Sequence, residues 1–307
     1  MFSFKKLAGL SLAATFLLIS IGGLVRATKS GLGCGDDWPD CSGRLVPEIQ
    51  NRAMMIEFSH RFVAGIVVLL LAVLALQAFR QHKPAAIKRA TVGAFGLVIF
   101  QALLGAIVVF FHLDADLVLL HLGTALSLLA LLSYIALSET ERDQEEDPAT
   151  SRRTAFAAGS VFVLVLVGSY VSGSGAGYVF PDWPLMDGRV IPDLAVRGQA
   201  VHFIHRVLAA LVGVVVVRAA WLASKTKPRA PFASRLTHAA AGLFVVEVLV
   251  GATNVFTGGN EASVTAHLAL GAAIWGLLVS SSIVTRPGKL AAHDSRSRIG
   301  VTRTETA

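Results

Sequence analysis

Along the chain, long apolar runs alternate with short polar stretches. A helix that spans a bilayer needs about 20 mainly apolar residues. Eight runs meet that length, at about 7–26, 59–79, 91–111, 117–138, 154–173, 202–223, 236–256 and 263–284. The first run follows Lys5 and Lys6 as a signal peptide would, but it outlasts the usual apolar region and no small-x-small cleavage site follows it. It also has a counterpart in the second half of the chain, so it counts as a span. The pattern predicts an all-α integral membrane protein with eight transmembrane helices.

The halves repeat each other. Gly31-Leu32-Gly33 matches Gly175-Ala176-Gly177, Trp38-Pro39 matches Trp183-Pro184, and Gly43-Arg44 matches Gly188-Arg189. Pro47 matches Pro192, Leu103-Leu104-Gly105-Ala106 matches Leu249-Val250-Gly251-Ala252, and His121-Leu122 matches His267-Leu268. An even number of spans per half gives both halves one orientation, a parallel repeat. Two tandem, pseudo-symmetric four-helix bundles are therefore expected, over residues 1–138 and 154–285. The charged stretch 139–153, with Pro148, reads as a cytoplasmic linker, and 286–307 as a disordered cytoplasmic tail.

Composition agrees with a membrane protein: 54% of residues are hydrophobic and 15% charged, where a soluble domain carries about a quarter charged. The net charge of +7 would suit a nucleic-acid partner, but 19 of the 27 Lys and Arg gather at one set of helix ends. That asymmetry is the positive-inside signal. It puts both termini in the cytoplasm of a cell-membrane protein and excludes nucleic acid as the reason for the charge. Cys34 and Cys41 fall in the first long loop, on the extracellular side. An oxidising exterior allows a disulfide there, and six intervening residues suit zinc poorly.

The chemistry gathers at one doubled motif. Glu57-Phe58-Ser59-His60-Arg61 returns as His202-Phe203-Ile204-His205-Arg206, each opening an apolar run after a loop with Trp-Pro. His60 and His121 lie near the outer ends of spans two and four, and His205 and His267 repeat them on spans six and eight. One such histidine would read as an interfacial hydrogen-bonder. Two equivalent pairs at matched depth suit the axial ligation of haem iron inside a bundle, and zinc would lack its third and fourth ligands. His82, His238 and His293 sit at cytoplasmic ends or in the tail, and His112 in an outer turn with Asp114 and Asp116; surface roles are expected for them. His202, one turn before His205, could compete as a ligand or reach a propionate. Glu57 holds the matching place in the first half, where a carboxylate could handle protons, orient a water or simply face the outer water. Arg61 and Arg206 suit propionate contacts or snorkelling. Glu247, matching Gln101, reads equally as an interhelical hydrogen-bonder or a reactive acid.

Taken together, Cys34 through Trp38-Pro39 to Cys41, Glu57-x-x-His60-Arg61, Gln101 through Gly105, His121, His205-Arg206 and His267 resemble the haem A synthases of aerobic bacteria and mitochondria, over nearly the whole chain. The resemblance implies an eight-helix enzyme that oxidises a ring methyl of haem O to the formyl group of haem A, for cytochrome oxidase. It implies that His60 and His121 hold the substrate haem, that His205 and His267 hold a haem b, and that Glu57 is needed for activity. It gives Cys34 and Cys41 a structural or redox role. The partners it implies are haem O synthase as supplier and a membrane quinol or other electron donor, with homo-oligomers allowed. Some relatives carry a second cysteine pair, and here Tyr178 to Asp187 has none. The competing reading is a two-haem electron carrier, which gives no reason for Glu57 and the cysteines to occur in only one half. A repeat-built transporter ranks last, since no Pro interrupts a span.

Overall fold

The structure, a computed structural model, describes residues 3–138, 146–225 and 230–287. These form α1 (Phe4–Ala27), α2 (Arg52–Arg80), α3 (Ala85–Phe110), α4 (Ala115–Ser138), α5 (Pro148–Gly173), α6 (Arg197–Lys225), α7 (Pro231–Phe256) and α8 (Glu261–Val284), with a 3₁₀ turn at Ala176–Tyr178. All eight α-helices are long and apolar enough to cross a membrane. Side chains mark several starts: Ser3 accepts from the backbone N of Lys6, Asn51 from Met54, Asp147 from Thr150 and Asn260 from Ala262. Each satisfies an amide that the first turn leaves without a partner.

All eight α-helices start earlier than the apolar pattern predicts, and α2, α3, α5, α6 and α7 do so by five residues or more. Helix α2 begins at Arg52 rather than about 59, and α6 at Arg197 rather than about 202, so Glu57 and His202 lie inside helices. The polar first turns escaped the hydropathy reading because they add little apolar length; in α2 the side chain of Asn51 marks the start. Helix α5 begins at Pro148, which corrects the expected linker 139–153. Proline suits the first helical turn, and Asp147 caps it. Residues 139–145 of that linker, the tail from 288 onward with His293, and residues 226–229 lie outside the described residues.

Helices α1 to α4 touch in a ring, each meeting the next and α4 closing on α1; α5 to α8 do the same. The rings meet through α1 against α8, α4 against α5, and α4 against α8. Exchanging α1 with α5 and α4 with α8 maps this set of contacts onto itself, as two related halves require. One apolar core joins Val67, Leu71 and Leu74 of α2 to Leu128 and Leu132 of α4. The other runs across the seam, from Ile19 and Leu126 to Trp275 and Leu278. Buried hydroxyls bridge helices at the far end: Thr237 to Ser281, and Ser151 to the carbonyl of Ser282. Apolar side chains such as Leu17, Phe62 and Leu69 stay exposed on the outside. In an apolar solvent that exposure costs nothing.

The loops 28–51 and 174–196 leave the same end of the bundle. Gly33 of the first loop lies on the start of α2. A Cβ there would sit 2.4 Å from the carbonyl carbon of Ala53 and 2.6 Å from the nitrogen of Met54. Backbone cannot give way as a side-chain tip can, so Gly33→Ala is expected to destabilise the protein by about 1–3 kcal/mol. A lowered thermal midpoint of the detergent-solubilised protein would show it.

Candidate functional site

Both loops fold back on the start of the following helix and are held by the arginine of the His-Arg pair. Nη1 of Arg61 donates to the carbonyls of Asp37 (2.7 Å) and Asp40 (2.5 Å). Nη1 of Arg206 donates to those of Asp182 (3.0 Å) and Leu185 (2.9 Å). Each loop also carries one isolated bridge, Cys41 with Arg44 and Met186 with Arg189. All these partners keep one spacing in sequence, so the repeat is three-dimensional. The arginines, expected at propionates, are first of all loop clamps. Nη2 of Arg206 remains buried without an acceptor.

Above the first clamp, Cys34 and Cys41 form a disulfide, buried with Met54 and Phe58. Glu57 is 3% exposed. Its Oε2 accepts from the backbone N of Cys34 at 2.8 Å, and its Oε1 from Nη2 of Arg61 at 2.5 Å. Glu57 therefore ties the disulfide loop to the helix one turn before His60. In the second loop the sulfur bridge is replaced by Asp182, whose carboxylate accepts from the backbone N of Gly188 (2.8 Å) and Asp187 (2.7 Å). These amides, Gly188 first, hold that carboxyl below its usual range. His202 stands in Glu57's place, accepting from Nε of Arg206 at 3.0 Å and packing on Phe180.

His60 and His205 are each the ninth residue of their helix, and His121 and His267 each the seventh. At 1.5 Å per residue, all four lie at similar depth below the loop end. His60 and His121 are near enough to act on each other electrostatically, and so are His205 and His267. Each ring rests on a glycine of the preceding helix. A Cβ would approach Cε1 of His60 to 3.3 Å from Gly22, and of His121 to 3.4 Å from Gly105. From Gly168 it would approach His205 to 3.0 Å, and from Gly251 it would approach His267 to 3.1 Å. All four glycines stand five residues before the end of their helix. The missing side chain leaves room for the Cε1 edge of the imidazole against the neighbouring helix and limits how far the ring can move.

The donor set fits haem. The rings are partly exposed, yet Nδ1 of all four histidines is buried, while Nε2 of none of them is buried without a partner. Nε2 is therefore the nitrogen left for a ligand. Two histidines at matched depth in one ring of helices suit a porphyrin held from both faces. Among the described residues no group of three or more His, Cys, Asp or Glu side chains converges, so a closed zinc site has no donors.

Residues 5–279 match the COX15-CtaA family, described as cytochrome oxidase assembly proteins. The chain belongs to this family. A relative called "Heme A synthase" from Symbiobacterium thermophilum is 33% identical over 299 residues, 92% of this chain and 96% of its own. One of the same name from Shouchella clausii is 32% identical over 222 residues, 69% of this chain and 73% of its own. Another, from Exiguobacterium sp., is 33% identical over 232 residues, 73% and 76% of the two chains.

In this COX15-CtaA chain, sequence reasoning named all four histidines and missed the four glycines beneath them. A signal was present: Gly105 and Gly251 fall inside a repeated tetrapeptide, and Gly22 and Gly168 share its offset. His112, expected on the surface, is exposed, with Nε2 3.8 Å from Asp36. A second pair of adjacent contacts bears on both halves. Gly22 meets His60, while a Cβ on Gly23 would lie 2.9 Å from Leu268, the neighbour of His267.

Proposed function

We propose that the chain is a haem A synthase, oxidising a ring methyl of haem O to a formyl group for use in cytochrome oxidase. The observation that carries this reading is the pair of repeat-related histidine clamps, only one of which stands beneath a disulfide loop tied down by a buried carboxylate, Glu57, where the other has His202. A pure electron carrier would have no use for that asymmetry. An enzyme with one substrate site and one permanent cofactor would. The names of the relatives support the same activity.

His60 and His121 hold the substrate haem, and His205 and His267 hold a haem b. Replacing two C–H bonds of a methyl by one C=O bond with water as oxygen source releases four electrons and four protons. Haem b, when bound, supplies one-electron oxidation and reduction beside that site. The protein orients. The glycine notches limit how far the rings can move, and Glu57 with Arg61 locks the loop that covers the substrate side. Arg206 has a buried Nη2 free for a propionate, and Arg61 joins it as a propionate contact through whatever its clamp leaves free.

Both termini lie in the cytoplasm and the disulfide loop outside the cell membrane, in keeping with the basic residues at the opposite helix ends. Haem O arrives from its synthase, and electrons are exchanged with a membrane quinol or equivalent carrier. The test is haem analysis of membranes from a host that makes haem O, with and without this chain. Haem A should appear only with the chain. Purified chain that carries haem b while no haem A is formed would favour the carrier.

Glu57→Gln keeps an acceptor for Cys34 and loses the charge that faces Arg61. Partners behind a metal site typically cost about 10–100-fold when replaced. Turnover of haem O should fall by about that factor with haem O still bound, as measured by haem A formed per bound haem O.

A further inference from the structure

The halves differ beneath their histidines as well as above them. On α7, Oε1 of Glu247 lies 3.2 Å from Nδ1 of His267. Its other oxygen is buried with no partner. The matching residue on α3, Gln101, turns elsewhere: its Nε2 donates to the main-chain carbonyl of His121 at 2.8 Å. Nδ1 is buried and outside any aligned hydrogen bond in all four imidazoles, and only that of His267 has a carboxylate oxygen within ion-pair distance. A second difference makes room for the first. Gly271, one turn after His267, is where a Cβ would come 3.2 Å from Cγ2 of Val165 and 3.3 Å from Oε1 of Glu247. The first half has Ala125 at that register.

We infer that Glu247 is a positioning residue whose Oε1 takes a hydrogen bond from Nδ1–H of His267 once that ring binds iron, which makes the second histidine pair the more strongly donating of the two. This rests on the reading of His267 as a haem ligand. A ligating imidazole usually gives its second N–H to a carboxylate or carbonyl, which fixes the tautomer and raises the basicity of the bound nitrogen. Stronger donation favours the oxidised iron. Of the four histidines only His267 has a carboxyl oxygen at this distance. The haem in the second half is thereby held at a lower potential than an identical clamp without the acid would give, which sets it apart as the electron relay.

The test uses the full chain purified with its haem, spectroelectrochemical titration, and haem content by pyridine haemochrome. The component belonging to the second half is the one lost in His205→Ala. Glu247→Leu should keep that haem and raise the ratio of reduced to oxidised form about tenfold at a fixed potential, or about 59 mV for a one-electron couple. Glu247→Gln, which keeps an acceptor without the charge, should shift it less in the same direction. Gly271→Ala, which leaves the acid in the chain but crowds it off the imidazole, should shift it upward too. If the leucine variant fails to hold haem, the other two decide. Haem retained at an unchanged potential in Glu247→Gln and Gly271→Ala would overturn the inference and leave the ligand reading standing. A wild-type chain that binds no haem would overturn both.

Discussion

Replacing His60 or His121 by Ala should abolish haem A formation while haem b stays with the protein. On the proposed assignment the two rings share one clamp, so removing either leaves the substrate held from a single face. Its methyl then has no fixed position, and a displacement of 1 Å at a reacting centre can cost about 100-fold. With both the grip and the placement lost, haem A in membranes should fall below detection. Haem analysis of the purified variants is the check. Continued haem A production in either variant would remove the substrate from the first half.

The second large effect is expected from His205→Ala, which should deplete haem b from the purified chain. Both ligands proposed for that haem come from one ring of helices, and a Cβ on Gly168 would meet His205 before any other residue. The neighbouring His202 is a poor substitute, because its Nε2 already accepts from Arg206 and its ring packs on Phe180. Unchanged haem b in the variant would show that His202 takes over. His267→Ala should give the same depletion, with no neighbouring histidine to replace it.

Much of this was legible because the chain states it twice. Eight spans follow from apolar length, and His60, His121, His205 and His267 stand out because matched offsets put rare ionisable residues at matched depths. The helix starts at Arg52 and Pro148 were not legible, since the capping side chains of Asn51 and Asp147 and not apolar content mark them. The partners of Glu57 were not legible either: its contact with the amide of Cys34 depends on how a 24-residue loop, 28–51, folds back. Helices that are apolar all round do not declare which face meets which neighbour. That is why Gln101 and Glu247, at matching positions, could not be seen to turn toward different atoms. The glycines beneath the histidines were hidden for a related reason, because a missing side chain has meaning only once its neighbour is known.

The adjacent Gly22 and Gly23 put the halves in a relation that the repeat alone conceals. One residue abuts the ring of His60 and the next abuts the neighbour of His267, so a single turn of α1 is a party wall between the two clamps. A bulkier residue at either glycine should therefore disturb both haems at once, and such lesions should combine non-additively with changes in the opposite half. The halves repeat each other's motifs, but neither can be exchanged as a self-contained cassette.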